Sequence, residues 1–322
     1  MSSWFERQVQ LASLVATFPL HHIAASFGLT LTLFFAGGTR VRAGLAAYLA
    51  WAWLLDRSPG RGGYGWAWRF GLTRCLRRSS FWRWSSSYFP VEMKRTTELP
   101  AEEGPYIFVS HPHGIIGIAP STNFGTDATN FDGLFPGVHV HLLGHSAILR
   151  VPFFRELVLF HGHGTVDRGC CLRLLGKGHS IALAPGGAKE SLECSPGTMR
   201  LILKNRKGFA KLALRTGATL VPVLSFGENE VYSTVQFPHG SFGRRIQDVL
   251  QARLGFALPL FCGRGWCPLL PRRHRVSTVV GAPLRPSGKG VGVEPTTEEV
   301  DNLHTQYCHA LQKLFYEHRE DN

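Results

Sequence analysis

From Val9 to Thr39 the chain carries no Asp, Glu, Lys or Arg. A surface helix of that length would present charge to water, so such a run is either held in a bilayer or wrapped by protein. A bilayer span needs about 20 apolar residues. The run is long enough, although Pro19, His21 and His22 interrupt it. A second uncharged run, Ala43 to Leu55, is shorter. Together they are expected to form an N-terminal membrane-embedded hairpin over residues 1–57. The alternatives are a cleaved signal peptide and a pair of buried core helices. The signal peptide fits poorly, because no small-residue cleavage site has a clear mature start and apolar sequence resumes after Arg42.

Residues 58–87 read as a basic, aromatic linker. Trp66, Trp68, Phe70, Phe81, Trp82 and Trp84 alternate with Arg69, Arg74, Arg77, Arg78 and Arg83. Trp favours a membrane interface and Arg its headgroups. The same residue types stack on nucleic acid, but directly after an apolar hairpin the interfacial partner is expected, and no nucleic acid. The formal net charge of +13 suits an anionic surface or substrate. Seven cysteines without a CxxC pair give no zinc ribbon and read as reduced thiols. A Cys262–Cys267 disulfide is a weaker option.

An α/β catalytic domain is expected over 88–322. Short β-prone runs lie at 106–109, 138–143, 180–184, 219–226 and 276–280. Helical stretches lie between them at 148–160, 171–176 and 199–215, and such alternation indicates α/β architecture. Thr296 and Glu299 make a capping-box pattern for a last helix. Val300, Leu303, Tyr307, Leu311 and Leu314 then recur at helical spacing, so that helix lies on the core.

Three constellations could carry chemistry. His111-Pro112-His113-Gly114 follows the first strand. A histidine can take a proton near neutral pH, as an alcohol attacking a thioester requires, and Gly114 permits close approach. Alone it is a weak signal, and a His- and Gly-rich surface loop explains it as well. Gly186-Gly187 with Glu190 follows another strand; the simpler role is a turn whose Glu caps the next helix. Arg200, Lys204, Lys207, Lys211 and Arg215 would form one basic stripe on a helix, a docking face for the phosphates of coenzyme A or a plain solvated face. The pairs His111/His113, His139/His141 and His161/His163 raise a metal centre, but no HxxHH or HExxH accompanies them, so no metal is expected. His139 and His141 are expected half exposed on one strand face. No GxSxG elbow supports a serine hydrolase.

In order, the chain contains Tyr88-Phe89-Pro90, His111-Pro112-His113-Gly114, Asn123-Phe124-Gly125-Thr126, Phe135-Pro136-Gly137, Gly186-Gly187 with Glu190-Ser191-Leu192, Asn205-Arg206-Lys207-Gly208-Phe209, Val221-Pro222 and Ser225-Phe226-Gly227-Glu228-Asn229-Glu230. This succession resembles the type 2 diacylglycerol acyltransferase family, which includes monoacylglycerol and wax-alcohol acyltransferases, over nearly the whole chain. The resemblance implies a glycerolipid-acyltransferase-like α/β domain behind an N-terminal membrane hairpin. It implies residence in the endoplasmic reticulum membrane with the catalytic domain cytosolic, and links to lipid droplets. Acyl-CoA is the implied co-substrate and diacylglycerol the acceptor, with monoacylglycerol or a long-chain alcohol as alternatives and no other cofactor. Homo-oligomerisation is left open. In plant relatives Glu replaces the first histidine, which implies His113 as the base, His111 in support and Glu190 orienting the histidine or the acceptor. Pro112, Gly114, Gly186, Gly187, Arg206, Lys207, Gly208, Phe209, Glu228 and Asn229 are the implied substrate-binding residues. The stretches Leu159 to Arg168 and Gly144-His145-Ser146 depart from the family pattern. The rivals are a catalytically silent lipid-surface binding protein and a His-metal enzyme.

Overall fold

The computed structural model describes residues 4–17, 19–255, 259–265, 268–287 and 292–321. The uncharged N-terminal run forms α1 (Trp4–Thr17) and α2 (Pro19–Phe35), which meet at a 51° bend. Proline has no N–H to offer and restricts the residue before it, so the break falls at Pro19. Among the described residues no single helix is long and apolar enough to cross a membrane; α1 and α2 reach that length only together. The second run forms α3 (Thr39–Ala50) and a π-helical turn, Trp51–Leu55. The apolar side chains of Phe27, Leu31, Phe34, Phe35, Leu54 and Leu55 are exposed. α1 packs on the catalytic domain rather than standing apart, because Leu14 is buried in the cluster that holds Tyr88, Phe89 and Ile115.

The linker forms α4 (Gly65–Arg69), α5 (Leu72–Arg77) and α6 (Ser80–Tyr88). Trp66, Phe70, Phe81 and Trp84 are exposed. Arg77 departs from that expectation. It is buried, donates to the carbonyls of Val140 (3.0 Å) and Phe124 (2.7 Å), and lies over the Trp68 ring. Part of this segment is therefore interior.

The catalytic domain is built on a seven-stranded sheet. Its strands are β1 (Val91–Arg95), β2 (Tyr106–His111), β3 (Val140–Gly144), β4 (Gly164–Thr165), β5 (Ser180–Leu183), β6 (Thr219–Phe226) and, beyond a β7–β8 hairpin (Ser233–Val235, Leu260–Cys262), β9 (Val276–Val280). The order is β1-β9-β6-β2-β5-β3-β4, with every pairing parallel except β6 with β9. β2 is buried at every position and its side chains alternate between faces. Ile107 and Val109 face the cluster formed with α10 (Arg168–Leu175), α12 (Gly208–Thr216) and α14 (Thr297–His318). Tyr106 and Phe108 face the aromatic cluster of Phe124, Phe131 and Phe135, carried by α7 (Ile118–Gly125), α8 (Phe131–Leu134) and the residue after α8. The last helix has the expected capping box.

Three expectations need correction. The stretch 148–160 is not one helix: a 3-10 turn at Ile148–Arg150 is separated from α9 (Phe154–Phe160) by Pro152 and by Phe153 at φ +61. The stretch 199–215 is helical only from Gly208, because the Ile202 N–H bonds the side chain of Glu190 instead of a helical carbonyl. The basic stripe is therefore broken before it starts. β3 starts at Val140, so His139 precedes it and stays exposed while His141 is buried. The six described cysteines are free thiols, and Cys267 lies outside the described residues.

α9 is tied to the N-terminal segment by a buried charge knot. Arg155, fully buried, bonds the carboxylates of Asp56 and Glu156 and the Leu149 carbonyl. Tyr48 and Tyr64 both donate to Glu156. Removing one partner leaves a buried charge uncompensated, which costs about 3–5 kcal/mol. Arg155→Ala is accordingly expected to lower unfolding free energy by that order and to open residues 48–64 to limited proteolysis. Wild-type stability in denaturant titration would mean that the knot does not hold the segment.

Candidate active site

β2, β5 and β6 are neighbours, and the loops at their carboxyl ends meet. In a largely parallel sheet this edge is where ligand-binding loops converge. The loop after β2 carries His111-Pro112-His113-Gly114, that after β5 carries Gly186-Gly187, and that after β6 carries Glu228-Asn229.

His111 continues the odd series of β2, so its ring lies on the α14 side of the sheet. Its Nε2 is 3.1 Å from the Tyr307 hydroxyl, which is also 3.2 Å from the Val109 carbonyl. A carbonyl can only accept, so the Tyr307 proton goes there and His111 Nε2–H donates to the phenol oxygen. His111 Nδ1 is left as a bare lone pair, buried and without a partner among the described residues. Burial pushes the His111 imidazole down to about 3, so it is neutral. Tyr307 is itself held by Phe209, whose ring lies 4.7 Å away.

His113 is oriented differently. Its backbone N–H donates to Glu190 Oε2 (2.9 Å) and its ring Nδ1 lies 3.0 Å from the Gly114 carbonyl. Because that carbonyl only accepts, the proton sits on Nδ1. Ser191 Oγ lies 3.1 Å from the same nitrogen and donates to the same carbonyl at 2.8 Å. Nε2 therefore carries the lone pair, and no described residue bonds it. The ring is half-buried, and burial holds its pKa below the ordinary histidine value against the pull of the Gly114 carbonyl.

Two buried glutamates clamp this loop. Glu190 takes the N–H groups of His113 and Ile202. It thus positions His113 through the main chain, not through the ring. Burial raises its carboxyl, while the two N–H groups and nearby Arg206 oppose the rise. Glu228 takes the N–H groups of Ile118 (2.9 Å) and Ala119 (2.8 Å), the first turn of α7, where the helix dipole favours an acceptor. Burial pushes its carboxyl up to about 8 against those two bonds. The two glycines beside these carboxylates are explained by contact. A Cβ on Gly186 would sit 2.1 Å from Glu190 Oε2, and one on Gly114, at φ +66, would sit 2.4 Å from Glu228 Oε1.

Several expected substrate-binding residues have structural partners instead. Phe209 is buried beneath Tyr307. Asn229 bridges the Cys194 thiol and the Thr198 carbonyl. Lys207 pairs with Asp301, and Lys211 and Arg215 with Glu294. Arg206 remains as a half-buried cation near Glu190. Pro112 is buried, Gly187 begins α11 (Gly187–Glu193), and Gly208 begins α12. Tyr307 is the residue that sequence reasoning placed in the core without a role. Its signal was a hydroxyl inside an otherwise apolar helix stripe, which must find a partner.

A second group of histidines lies away from this edge. His141 and His161 are buried, and His163 half-buried, near Trp68, Trp82 and His179. Among the described residues no three His, Cys, Asp or Glu side chains come together as metal donors. Burial pushes His141 and His161 to about 4 and His163 to about 3. A histidine held below its unfolded pKa of about 6.5 contributes stability above that pH and loses it as pH falls toward the folded value. Stability should therefore fall from about pH 6.5 to 4, by up to about 1.4 kcal/mol per pH unit for each such ring. His163→Gln should shallow that slope in denaturant titrations at successive pH values; an unchanged slope would remove the imidazole from the acid response.

The family profile described as "Diacylglycerol acyltransferase" matches residues 33–322. The chain is 42% identical to diacylglycerol O-acyltransferase 2 of Dictyostelium discoideum over 84% of its length and 81% of that protein. It is 40% identical to diacylglycerol O-acyltransferase 2 of Homo sapiens over 85% of its length and 71% of that protein. It is 38% identical to 2-acylglycerol O-acyltransferase 1 of Bos taurus over 84% of its length and 80% of that protein. A solved 1-acyl-sn-glycerophosphate acyltransferase from Thermotoga maritima aligns over 91% of this chain and 98% of that one, at a TM-score of 0.42 and 13% identity. A profile match across most of the length, with relatives near 40% identity, places this chain in the diacylglycerol acyltransferase family.

Proposed function

We propose that this protein transfers a fatty acyl group from acyl-CoA to the free hydroxyl of diacylglycerol, giving triacylglycerol, with His113 as general base. The observation that carries the mechanism is the His113 tautomer: the Gly114 carbonyl fixes the proton on Nδ1 and leaves Nε2 as a lone pair without a protein partner. The relatives named as diacylglycerol O-acyltransferase 2 support the acceptor.

Nε2 takes the acceptor's proton as its oxygen attacks the thioester carbonyl. A C–O bond forms, the C–S bond breaks, and the imidazolium returns its proton to the departing CoA thiolate. The N–H groups of Gly114, Ile115 and Ile116 bond no described residue and are suited to hold the oxyanion. The thioester is reactive enough that no acyl-enzyme is needed. Tyr307 orients the neutral His111 behind the loop, and Arg206 is the cation available to a CoA phosphate. No other cofactor or metal enters this scheme. The endoplasmic reticulum membrane is the proposed location, with the catalytic domain cytosolic, lipid droplets as a second site and α1 to α3 embedded in lipid. A monoacylglycerol acceptor is the second reading, favoured by the bovine relative.

Membranes bearing the protein, labelled acyl-CoA and a panel of diacylglycerol, monoacylglycerol and long-chain alcohol test the reaction. Triacylglycerol is the expected product, and no acylated product from any acceptor would sink the proposal. His113→Ala should lower kcat by about 10² to 10⁴ while the protein stays membrane-bound. Without acceptor, labelled free CoA should not exchange into unlabelled acyl-CoA; rapid exchange would mean an acyl-enzyme and end the direct-transfer scheme. Activity should persist below the ordinary histidine pKa, because the folded imidazole is held lower.

A further inference from the structure

α13 (Phe242–Leu254), inserted between β7 and β8, is amphipathic in the wrong sense for a water-facing helix. Its inner face is polar. Arg244 and Gln247 are buried, and Arg244 is fixed to Glu193 at 2.7 Å and to Asp248 at 3.1 Å. Its outer face carries Phe242, Ile246 and Val249, spaced four and three apart and therefore on one stripe. They are 80%, 45% and 52% exposed. The β7–β8 pair between whose strands α13 is inserted exposes Val235 and Leu260, at 58% and 52%. A soluble surface rarely leaves apolar side chains contiguous in this way.

Two further observations say what covers this face. The first is charge. Arg245 and Arg253 are exposed on the same helix, and no described carboxylate forms an ion pair with either; Arg264, Arg272 and Arg273 are exposed in the segment that follows β8. A second copy of the chain would bring the same cations against these; an anionic headgroup layer would neutralise them. The second is continuity. Phe261 of β8 packs into one apolar cluster with Leu11 and Leu14 of α1, Leu20 of α2, and Ile115 and Ile118 beside the catalytic loop. The hairpin is thus joined through a shared core to the apolar N-terminal helices and to the site.

We propose that α13 and the β7–β8 hairpin form a second membrane contact, separate from α1 to α3, that lies in the interface of an anionic bilayer beside the active-site loop. The apolar stripe enters the acyl-chain boundary and the arginines take the headgroups, the composition of an interfacial helix. The loop is then presented to the plane that supplies a lipid acceptor, which rests on the proposed acyltransferase reaction.

The full-length protein is reconstituted in phosphatidylcholine–phosphatidylserine vesicles doped with a phospholipid bearing a diazirine in its acyl chain, then photolysed, digested and mapped by mass spectrometry. Adducts are expected in peptides spanning 242–253 as well as in α1 to α3. Adducts in α1 to α3 alone would overturn the proposal, as would cross-links joining the 242–253 segments of two copies when a bis-diazirine cross-linker is used in a parallel sample. This arm is independent of turnover, so it stands or falls separately from the reaction. In the second arm, Phe242→Glu/Ile246→Glu/Val249→Glu should raise the apparent KM for diacylglycerol held in vesicles about fivefold or more and leave turnover of a short-chain, water-soluble diacylglycerol unchanged. The latter also reports that the variant has folded. Wild-type KM for the vesicle substrate would refute the contact, and Arg245→Gln/Arg253→Gln, a milder change, should move the same KM in phosphatidylserine vesicles but not in pure phosphatidylcholine.

Discussion

Two oxygens of one buried carboxylate hold the catalytic edge together. Glu190 accepts the N–H of His113 with one and the N–H of Ile202 with the other. The first bond fixes the turn after β2, and the second pulls the 199–203 segment across the loop after β5. Gly186 has no side chain because the carboxylate occupies that space. Glu228 performs the matching task on the far side of the loop, filling the space beside Gly114 and closing the first turn of α7. Left unpaired, any of these buried N–H groups would cost about 1–3 kcal/mol. The active-site loop is therefore rigid for a reason other than binding substrate, and the motif residues Gly114, Gly186, Glu190 and Glu228 form one packed unit.

Within that unit the two histidines are made different by carbonyls. His111 gives its Nε2 proton to Tyr307 because Val109 has taken the phenol proton. His113 gives its Nδ1 proton to Gly114. The same side chain thus presents opposite nitrogens at two positions of one four-residue motif. His111 is buried at the end of a strand and held by α14; His113 is half-buried on the turn. Only the second has its lone pair where a bound molecule could reach it, which is the physical content of assigning base and support. The assignment also connects the site to the far end of the chain, since Phe209 supports Tyr307 and Tyr307 supports His111.

Much of this was legible in the sequence because the sheet is buried on both faces, and buried strands read as apolar runs ending in Gly or Pro turns. β2, β3, β5, β6 and β9 follow that rule. β1 did not, because Val91-Glu92-Met93-Lys94-Arg95 has charged side chains at alternate positions on an edge strand, and β4 has only two residues. The basic spacing from Arg200 to Arg215 mimicked a helix, but periodicity cannot reveal that a distant carboxylate captures the N–H of Ile202. Burial of Arg77 and His141 was equally hidden, because each is satisfied by carbonyls from remote segments. The motifs named the right loops. What each residue does in them depends on which N–H or carbonyl lies opposite, and only the fold supplies that.

The arrangement also constrains how a bilayer can approach. Ile115 and Ile118, flanking the site loop, share a core with α1, α2 and the β7–β8 hairpin. A membrane touching only α2 and α3 would leave the outer face of α13 in water, with Phe242, Ile246 and Val249 solvated and its buried face spent on Arg244 and Gln247. That is the costly orientation of an amphipathic helix, and a sequence under no constraint but solubility would reverse it. On the proposed membrane contact, two apolar surfaces joined by one core at the edge of the same loop set the tilt of the domain more tightly than either could alone. On that proposal a long-chain acceptor would need only a short lateral path to His113, without leaving the lipid.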